Sequence, residues 1–350
     1  MRYYHRLFYI LFFTTAFNGV CAQSGFVYKP VKKHPSTAQN QLRSSILNQN
    51  PGIVDLTSLL PNGYVTDGSV DYTRFIQAGM NNYEKVLMPN FPILVNDKGI
   101  DIPSNRLVVF NTNSKLILKS SQLQSYQILR IWNATNIKIY FPYIQGDRDR
   151  HIGTGGEWGM GLGISSSNNI EVYYPQIYNC WGDGLYLGER GDSGTNNSIL
   201  VYYGFFDNNR RNGISIISGS NIKIINPIIG NTNGTNPQCG IDIEPNTNKE
   251  VLNNIRIENA FTYNNYRKGI LVSLVNHFGP VVKNVTIDII NPTDSSMQGG
   301  FSVVGADNRK FSMPIKAMQG QIKIVGPKWK NGKGPIYKKS DLDPSVKTLP

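Results

Sequence analysis

The stretch from Asn212 to Asn246 reads NGISIISGSNIKIINPIIGNTNGTNPQCGIDIEPN. Gly213 opens a short strand of alternating apolar residues, a turn of Ser and Asn follows, and an Asn-Ile-x-Ile strand begins nine residues after the glycine. A loop rich in Pro, Asn and Gly then leads to Gly240, where the unit starts again. Strands this short cannot close a core alone, so their recurrence predicts a solenoid in which successive coils cover one another.

The same unit recurs through most of the chain. Coil starts of the glycine type, each followed by an apolar, a variable and an apolar residue, fall at Gly161, Gly184, Gly213, Gly240, Gly269 and Gly300. The second strands are predicted to begin at Ile170, Ile199, Ile222, Ile255, Val285 and Ile322. We assign Leu107 and Ile128 to the same place in two earlier coils, nine residues before Leu116 and Ile137. Eight coils at about 4.8 Å each predict a rod of roughly 38 Å.

No amphipathic helices of 10 to 15 residues separate these strands, which disfavours a doubly wound α/β sheet. A short helix is predicted only near the beginning of the ordered sequence. There Asp71 or Thr73 can cap a helix whose apolar face is Phe75, Ile76 and Met80. A Val86-Leu87-Met88-Pro89 strand follows this helix.

The segment around this helix resembles a known family. The pattern DG..D.T..IQ from Asp67 to Gln77, the VLMP strand, and a strand pair ending in Lys115-Leu116-Ile117-Leu118 look like the N-terminal cap of the polygalacturonase and pectate-lyase superfamily. The resemblance implies an all-β fold, a right-handed single-stranded parallel β-helix with a short N-terminal helix cap. It covers residues 53–120 by motif and residues 120–326 by repeat pattern.

These patterns divide the chain into five segments. We expect a signal peptide at residues 1–22, a flexible leader at 23–52, an N-terminal cap at 53–106, the parallel β-helix at 107–326 and a basic tail at 327–350 that is laid along the rod or left mobile.

The first 22 residues have the features of a secretion signal. Arg2, His5 and Arg6 form a basic start, an apolar run too short to span a bilayer follows, and Val20-Cys21-Ala22 places small residues at the cleavage positions. We expect cleavage near Ala22 and a secreted or periplasmic protein. Lipoprotein anchoring through Cys21 is the alternative, although the preceding residues fit a lipobox poorly. No later segment is long and apolar enough to cross a membrane.

The charge of the chain favours an anionic partner. Removing Arg2 and Arg6 leaves 33 basic against 23 acidic residues, a net charge of +10. Such a surface attracts uronic-acid or sulfated glycans, nucleic acid or an anionic cell surface, and export disfavours nucleic acid. A solvated basic face with no single partner is the alternative. We expect a monomer.

Two cysteines, Cys180 and Cys239, follow the signal segment. The predicted register places them two coils apart, about 9.6 Å, which is too far for a disulfide. We therefore predict buried free thiols. No cluster of Cys or His has the spacing of metal ligands, so no cofactor is expected, with calcium left possible.

Strand alternation sorts the residues of each coil into an inner and an outer set. The residues two after each coil start are predicted to form one outward row, and those four after it a second. The first row is Arg130, Gly163, Tyr186, Ser215, Asp242, Leu271 and Ser302, and the second is Trp132, Ser165, Gly188, Ile217, Glu244, Ser273 and Val304.

Asp242 and Glu244 form the candidate catalytic pair. Two residues apart on one strand, their Cα atoms are expected about 6.6 Å apart on the same face. Glycosidases require carboxyl groups roughly 5 to 9.5 Å apart, so the pair is admissible as acid and base. A solvated pair, or one that holds basic residues of adjacent coils, is the structural alternative.

Basic residues surround this pair in the predicted register. Arg210 and Arg211 precede the Gly213 coil, and Arg267 and Lys268 precede the Gly269 coil. They could bind a uronate carboxylate, or one could act as the base of a lyase. Alternatively they only balance the two carboxylates.

Two further clusters are candidates for substrate contacts. The loop from Gly146 to Met160 gathers charged residues with His151, the one plausible histidine for proton transfer, and with Trp158, which could stack on a sugar ring. The second cluster contains Trp181 and Asp183. Asp183 is expected roughly 14 Å from Asp242, too far for a carboxylate pair. It could bind a neighbouring sugar or calcium, or serve as a turn residue.

The catalytic motifs of polygalacturonases are not carried over by the resemblance. Asn231-Thr232-Asn233-Gly234 has Asn where that family has its acid, there is no Gly-His-Gly, and Arg256-Ile257 continues with Glu258. The sequence therefore predicts a secreted protein that binds and cleaves an acidic polysaccharide, by hydrolysis or β-elimination. Asp242, Glu244 and His151 are its candidate catalytic residues. Its candidate substrate-binding residues are Arg130, Trp158, Trp181, Asp183, Tyr186, Arg210, Arg211 and Lys268. A glycan-binding or adhesion module without catalysis is the alternative.

Overall fold

A computed structural model describes residues 25–191, 193–306, 318–330, 334 and 345–350 of the chain. The predicted signal peptide, its cleavage position and Cys21 lie outside the described residues, so they stay predictions.

Three parallel sheets enclose the core, and every pairing between described strands of these sheets is parallel. Sheet I has eight strands: β4 (Ile100–Asp101), β7 (Ser125–Trp132), β10 (Trp158–Ser165), β13 (Leu185–Gly188), β16 (Asn212–Ile216), β19 (Cys239–Ile243), β22 (Ile270–Ser273) and β25 (Phe301–Val304). Sheet II has eleven: β1 (Val54–Asp55), β2 (Lys85–Leu87), β5 (Arg106–Val109), β8 (Thr135–Tyr140), β11 (Asn168–Tyr173), β14 (Asn197–Tyr202), β17 (Gly219–Ile225), β20 (Leu252–Glu258), β23 (Asn284–Ile290), β26 (Gln319–Val325) and β28 (Ser345–Leu349). Sheet III has nine: β3 (Pro92–Val95), β6 (Lys115–Leu118), β9 (Tyr143–Gln145), β12 (Gln176–Tyr178), β15 (Phe205–Asp207), β18 (Ile228–Gly230), β21 (Phe261–Tyr263), β24 (Thr293–Ser295) and β27 (Lys328–Trp329).

The predicted all-β parallel solenoid is confirmed, with about nine turns. Each full coil contributes three strands, where the sequence predicted two. The strand that was missed is the three-residue segment in sheet III, such as Gln176–Tyr178, because a segment this short carries too little alternation to stand out.

The core of sheet II is a column of isoleucines. Ile137, Ile170, Ile199, Ile222, Ile255, Ile287 and Ile322 are register partners in successive coils, and all are buried. Burial of each such side chain contributes about 1.5 to 3 kcal/mol. The prediction that Val285 heads its strand is two residues early, and the matching residue is Ile287. Both face inward because strand alternation has a period of two.

The coil-start glycines are required by the close approach of neighbouring coils. A Cβ atom built on Gly213 would lie 2.7 Å from the carbonyl oxygen of Gly240, and one on Gly240 would lie 2.6 Å from that of Gly269. Gly161, Gly184 and Gly269 meet the carbonyl of the next coil in the same way. The glycine repeat therefore reflects backbone packing between coils rather than turn geometry.

We expect Gly213→Ala to lower the free energy of unfolding by about 1 to 3 kcal/mol, because the added methyl group overpacks a fixed backbone contact. Denaturant unfolding followed by circular dichroism would measure the change. Gly52→Ala is the matched control, since a Cβ there meets nothing within 4 Å. Equal stability of the two variants would contradict this explanation of the repeat.

An asparagine ladder runs from coil to coil near the start of the sheet II strands. Asn221 and Asn254 have positive φ angles of 55° and 52°, the left-handed conformation that Asn tolerates better than most residues. The Nδ2 atom of Asn254 donates to Oδ1 of Asn221 at 2.6 Å, and that of Asn221 donates to Oδ1 of Asn197 at 2.8 Å. The ladder explains part of the abundance of Asn in the sequence.

The beginning of the solenoid differs from the prediction. Leu107 lies in sheet II and Leu116 in sheet III, so they do not head the coil that was assigned to them. The first strand of sheet I is Ile100–Asp101, whose Asp101 pairs with Arg130. The predicted cap at 53–106 therefore already contributes strands to all three sheets.

The predicted cap helix forms as α2 (Thr73–Asn82), after a short 3-10 helix at Leu56–Leu59. Ile76 and Met80 are buried, Phe75 is partly buried, and Oδ1 of Asp71 accepts from the backbone N–H of Thr73 at 2.9 Å.

Residues 23–52, which were expected to form a flexible leader, contain a regular helix. Ser36–Gln49 forms a helix, α1, which buries Arg43 and Ile46. Nε of Arg43 donates to the carbonyl of Phe110 at 3.0 Å, and its guanidinium lies 4.3 Å from the Phe141 ring centre. Leu42 and Leu47 of this helix also pack against the core, so polar and apolar contacts together hold it.

The residues before α1 lie against sheet III. The Tyr28 hydroxyl donates to Oδ2 of Asp207 at 2.7 Å, and Lys33 lies 4.5 Å from the Tyr178 ring centre. Burial and the bonded Asp207 carboxylate raise the pKa of Tyr28 to about 12.

The expected tail also continues the fold where it is described. Lys328–Trp329 pairs with β24 and Ser345–Leu349 pairs with β26. Within the described part of the tail, these strands extend sheets II and III beyond the predicted boundary at residue 326.

Candidate functional site

Sheet I carries the outward row that the sequence predicted. The strand register joins Arg130 to Gly163, Gly163 to Tyr186, Tyr186 to Ser215 and Ser215 to Asp242. Leu271 and Ser302 continue the row in the next two strands. The row therefore crosses seven coils on one face of the molecule.

The expectation that this row is exposed at Asp242 is wrong. Asp242 and Ser215 are both 0% exposed. Nδ2 of Asn212 donates to Oδ2 of Asp242 at 3.2 Å and also contacts the Ser215 hydroxyl. Asp242 points away from the core as predicted, but polar side chains from its own sheet and from the preceding turn cover it.

Arg211 is the centre of this cluster. Its Nη1 atom donates to Oδ2 of Asp183 at 3.0 Å, and its Nη2 atom lies 3.7 Å from Oε2 of Glu244. Its Nε atom lies 3.9 Å from Oε2 of Glu157. One guanidinium with a 12% exposed side chain thus faces several carboxylates, Asp242 among them.

The environment perturbs the protonation of three of these groups. Burial and repulsion from Glu244 raise the pKa of Asp242 well above its ordinary value. Burial also raises the pKa of Asp183, although Arg211 opposes it. For Arg211, burial lowers the pKa, but the surrounding carboxylates outweigh it and raise the value overall. Such coupled perturbation is a signature of functional sites, although structural networks also produce it.

Asp183 and Asp242 belong to the same cluster, although the sequence predicted that they lie too far apart to form a carboxylate pair. The estimate of roughly 14 Å considered backbone positions only. Arg211 comes from the coil between them. Its long side chain spans the gap, and its guanidinium contacts Asp183 on one strand and Glu244 on the strand of Asp242. Oδ1 of Asp183 and Oδ1 of Asp242 are buried without a hydrogen-bond partner.

Glu157 is a member of the cluster that the sequence placed among the charged residues of the Gly146–Met160 loop without assigning it a role. It belongs to the loop before β10, and its side chain is 36% exposed, compared with 29% for Glu244. These two carboxylates are the members that reach solvent, whereas Asp183 and Asp242 do not. No sequence signal connects Glu157 to Glu244, because a long-range loop contact sets their approach.

His151 contacts Asp147 and Trp181 and is not part of the cluster around Arg211. Its Nδ1 atom lies 2.9 Å from Oδ2 of Asp147, and its ring stacks on Trp181 with the ring centres 4.0 Å apart. The side chain is 1% exposed, and Asp147 is also bound by the Tyr126 hydroxyl. These contacts give His151 and Trp181 a packing role, and neither side chain is free to contact a substrate.

The other predicted basic residues are also occupied. The guanidinium of Arg210 lies 3.7 Å from the Trp181 ring centre, and its Nη1 atom donates to the carbonyl of Gly156 at 2.8 Å. Nζ of Lys268 donates to the carbonyl of Gln298 at 2.6 Å. Nε of Arg130 lies 2.6 Å from Oδ1 of Asp101.

An open groove adjoins the cluster on the same face of sheet I. It has a volume of about 200 Å³, and Tyr186 lies in its wall. Trp158 is 49% exposed at this groove. Of the predicted substrate-binding residues, Trp158 and Tyr186 are therefore the two placed to contact a ligand here.

Cys180 and Cys239 are buried free thiols, as predicted. Among the described residues, no group of three or more His, Cys, Asp and Glu is arranged to hold a metal ion. Within the same residues, no helix is long and apolar enough to span a membrane.

Several solved structures superpose on this chain. The N-terminal fragment of the bacteriophage phi29 gene product 12 superposes with a TM-score of 0.58 at 14% identity, over 89% of this chain and 54% of that one. PfbA, a surface adhesin of Streptococcus pneumoniae, gives a TM-score of 0.58 at 13% identity, over 85% and 77%. The A-module of the Azotobacter vinelandii mannuronan C-5 epimerase AlgE6 gives 0.53 at 14% identity, over 78% and 73%. The chain shares the parallel β-helix fold of these proteins. At these identities the likeness establishes the fold alone.

Two curated relatives match part of the sequence of this β-helix protein. The uncharacterized protein YclG of Bacillus subtilis is 27% identical over 213 residues, which is 52% of this chain and 36% of that protein. The SPbeta prophage-derived uncharacterized protein YorA of the same organism is 28% identical over 164 residues, 42% and 28% respectively. The matches thus span about a third of the length of these relatives. No protein-family profile matches the sequence.

Proposed function

We propose that the protein binds a glycan along the outer face of sheet I and hydrolyses a glycosidic bond beside Arg211. One observation carries the proposal. Two partly exposed carboxylates, Glu157 and Glu244, lie 3.9 Å and 3.7 Å from nitrogen atoms of the Arg211 guanidinium, near an open groove with an exposed indole ring. Paired carboxylates and an aromatic platform are what glycoside hydrolysis requires.

The roles follow from burial and charge. Burial and repulsion between Asp242 and Glu244 raise the pKa of Asp242 and favour one proton on the pair. Glu244, the partly exposed member, protonates the leaving glycosidic oxygen. Glu157 accepts a proton from the attacking water while the water oxygen bonds to the anomeric carbon. The carbon–oxygen bond to the leaving sugar breaks as that oxygen is protonated. Arg211 keeps the carboxylates in position.

The site favours hydrolysis over β-elimination. Elimination needs a cation on the substrate carboxylate and a base beside the C5 proton. Arg211 is bound to Asp183 at 3.0 Å, while Arg210 and Lys268 donate to backbone carbonyls. The basic residues that could serve a lyase are thus engaged by the protein itself.

The ligand class remains an acidic polysaccharide in this proposal. A net charge of +10 after the expected removal of residues 1–22 supports it, since a basic surface concentrates polyanions. The fold that the chain shares with a mannuronan epimerase is compatible with this class.

Glycan binding without turnover is the second candidate function. Complete burial of Asp183 and Asp242 favours it, because a group with no exposed surface cannot touch a substrate directly. The fold shared with a surface adhesin is compatible with it.

Incubation with a panel of uronic-acid, sulfated and neutral glycans would test the proposal. Hydrolysis predicts new reducing ends without the ultraviolet absorbance of an unsaturated product. Binding in a glycan array without new reducing ends would support the second candidate. An unsaturated product would overturn hydrolysis in favour of elimination.

A further inference from the structure

The open groove beside the carboxylate cluster contains a cation that the proposed chemistry does not use. Its walls come from β7, β10, β13 and the residues that follow β13. They are formed by Ser125, Gln127, Trp132, Trp158, Met160, Ser165, Tyr186, Glu189 and Arg190. Arg190 is exposed to solvent.

Trp132 holds Arg190 in place. The Arg190 guanidinium lies 3.8 Å from the centre of the Trp132 ring, within the range of a cation–π interaction. Nε1 of Trp132 donates to Oε1 of Gln127 at 3.0 Å, which fixes the plane of the ring. The backbone N–H of Arg190 donates to the Ser166 hydroxyl at 2.9 Å. An arginine held this way loses little side-chain entropy when it binds a ligand.

The charge of Arg190 is available to a ligand. Within the described part of the chain its guanidinium forms no ion pair, and its contact is with the Trp132 ring. The nearby Glu189 accepts from the Ser218 hydroxyl and belongs to a different contact. The situation differs from that of Arg130 and Arg211, which are both paired with carboxylates.

We propose that this groove is an anion-selective sugar subsite. Arg190 binds a carboxylate or sulfate group of the glycan through two parallel N–H donors, and the ring of that sugar lies on Trp158. The inference rests on the proposed glycan binding and adds its specificity. Arg190 stacks on Trp132 of β7, and β7 lies four strands from β19 in sheet I, so the anionic group is held roughly 19 Å from Asp242 along the solenoid.

This arrangement separates recognition from bond cleavage. The cluster around Arg211 holds several carboxylates, so an acidic sugar is repelled there. Arg190 attracts it at the groove instead. The substrate that fits is a chain several units long that carries its acidic group away from the bond to be cleaved.

The test measures binding in the Glu244→Gln background, so that the ligand stays intact. Titration calorimetry would compare a uronic-acid oligosaccharide, its carboxyl-reduced neutral form and a sulfated form of the same neutral chain. The protein without further changes should prefer the anionic forms by about tenfold or more, as a charge-assisted bidentate contact implies. Arg190→Gln should remove the preference and leave affinity for the neutral form unchanged.

Two further variants serve as a control and as an indirect test of the Trp132 contact. Arg74→Gln removes another exposed arginine that stacks on an aromatic ring, 4.5 Å from Phe75, and should leave the preference intact. Gly163→Ala introduces a Cβ that collides with the end of the Gln127 side chain, so it should weaken the preference through Trp132.

A preference that survives Arg190→Gln would overturn the inference, as would equal binding of neutral and anionic forms. In the second case the proposed glycan binding stands. An Arg190-dependent preference in a protein that releases no reducing ends would support the subsite and remove only hydrolysis. Absence of binding to every form would overturn both.

Discussion

Glu244→Gln is expected to lower the rate of glycosidic bond cleavage by about 10²- to 10⁴-fold, the usual contribution of general acid–base catalysis. Glutamine keeps the shape of the side chain and the contact with the Ser273 hydroxyl, at 3.3 Å in the wild type, but it cannot transfer a proton. Affinity for the glycan should change little. Release of reducing ends, together with calorimetric binding, would measure the two effects separately.

Glu258→Gln is the matched control for this prediction. Glu258 is a partly exposed glutamate on the outer face of sheet II and pairs with Arg256, so it shares the chemistry of Glu244 without its location. The control should cleave like the wild type, and Glu157→Gln should be impaired like Glu244→Gln. Wild-type activity in Glu244→Gln would remove Glu244 from the mechanism.

Asp242→Asn is expected to become more stable relative to the wild type as the pH rises. The pKa of Asp242 is raised in the folded protein, so the folded state binds the proton more tightly than the unfolded state. The stability that this proton provides is present below the unfolded pKa, about 3.9, and is lost as the pH rises towards the folded pKa. Asparagine has no such proton to lose.

Unfolding by urea at several values between pH 4 and pH 8 would give the difference between variant and wild type. The difference should shift in favour of Asp242→Asn with rising pH. Ser302→Ala, in the same row but without a titrating group, should differ from the wild type by an amount that does not vary with pH. A constant difference for Asp242→Asn would show that the carboxyl group is not protonated by its environment.

The fold and the register could be predicted because the repeat has a strong physical cause. Carbonyl groups of adjacent coils leave no space for a Cβ at Gly213 or Gly240, so glycine marks each coil. Counting two residues from each glycine then places Tyr186, Ser215 and Asp242 in one row, as the strand pairing confirms. Local sequence was sufficient because each coil contacts mainly its neighbours.

The chemistry of the site could be predicted only in part. Asp242 and Glu244 were found from alternation, but alternation gives the direction of a side chain and not what covers it. The burial of Asp242 depends on the cover that side chains such as Asn212 provide, and the inclusion of Glu157 depends on the path of a loop. Neither leaves a periodic signal in the sequence.

The availability of the basic residues to a ligand also could not be predicted from the sequence. Arg210, Arg211 and Lys268 were expected near the carboxylates, and sequence position alone could not tell which of them stays available to a ligand. Stacking on Trp181 occupies Arg210, and a backbone carbonyl accepts from Lys268. Arg190 ends the cluster that begins at Trp181, and the sequence assigned it no role, yet it is the arginine that lines the groove.

A crystal structure of the Glu244→Gln variant with a bound acidic oligosaccharide would test the central claim most directly. The account predicts that the sugar chain lies along the outer face of sheet I, with one ring on Trp158, an anionic group at Arg190 and a glycosidic oxygen beside residue 244 and Glu157. A chain bound to sheet II or sheet III, with the face around Arg211 empty, would contradict it.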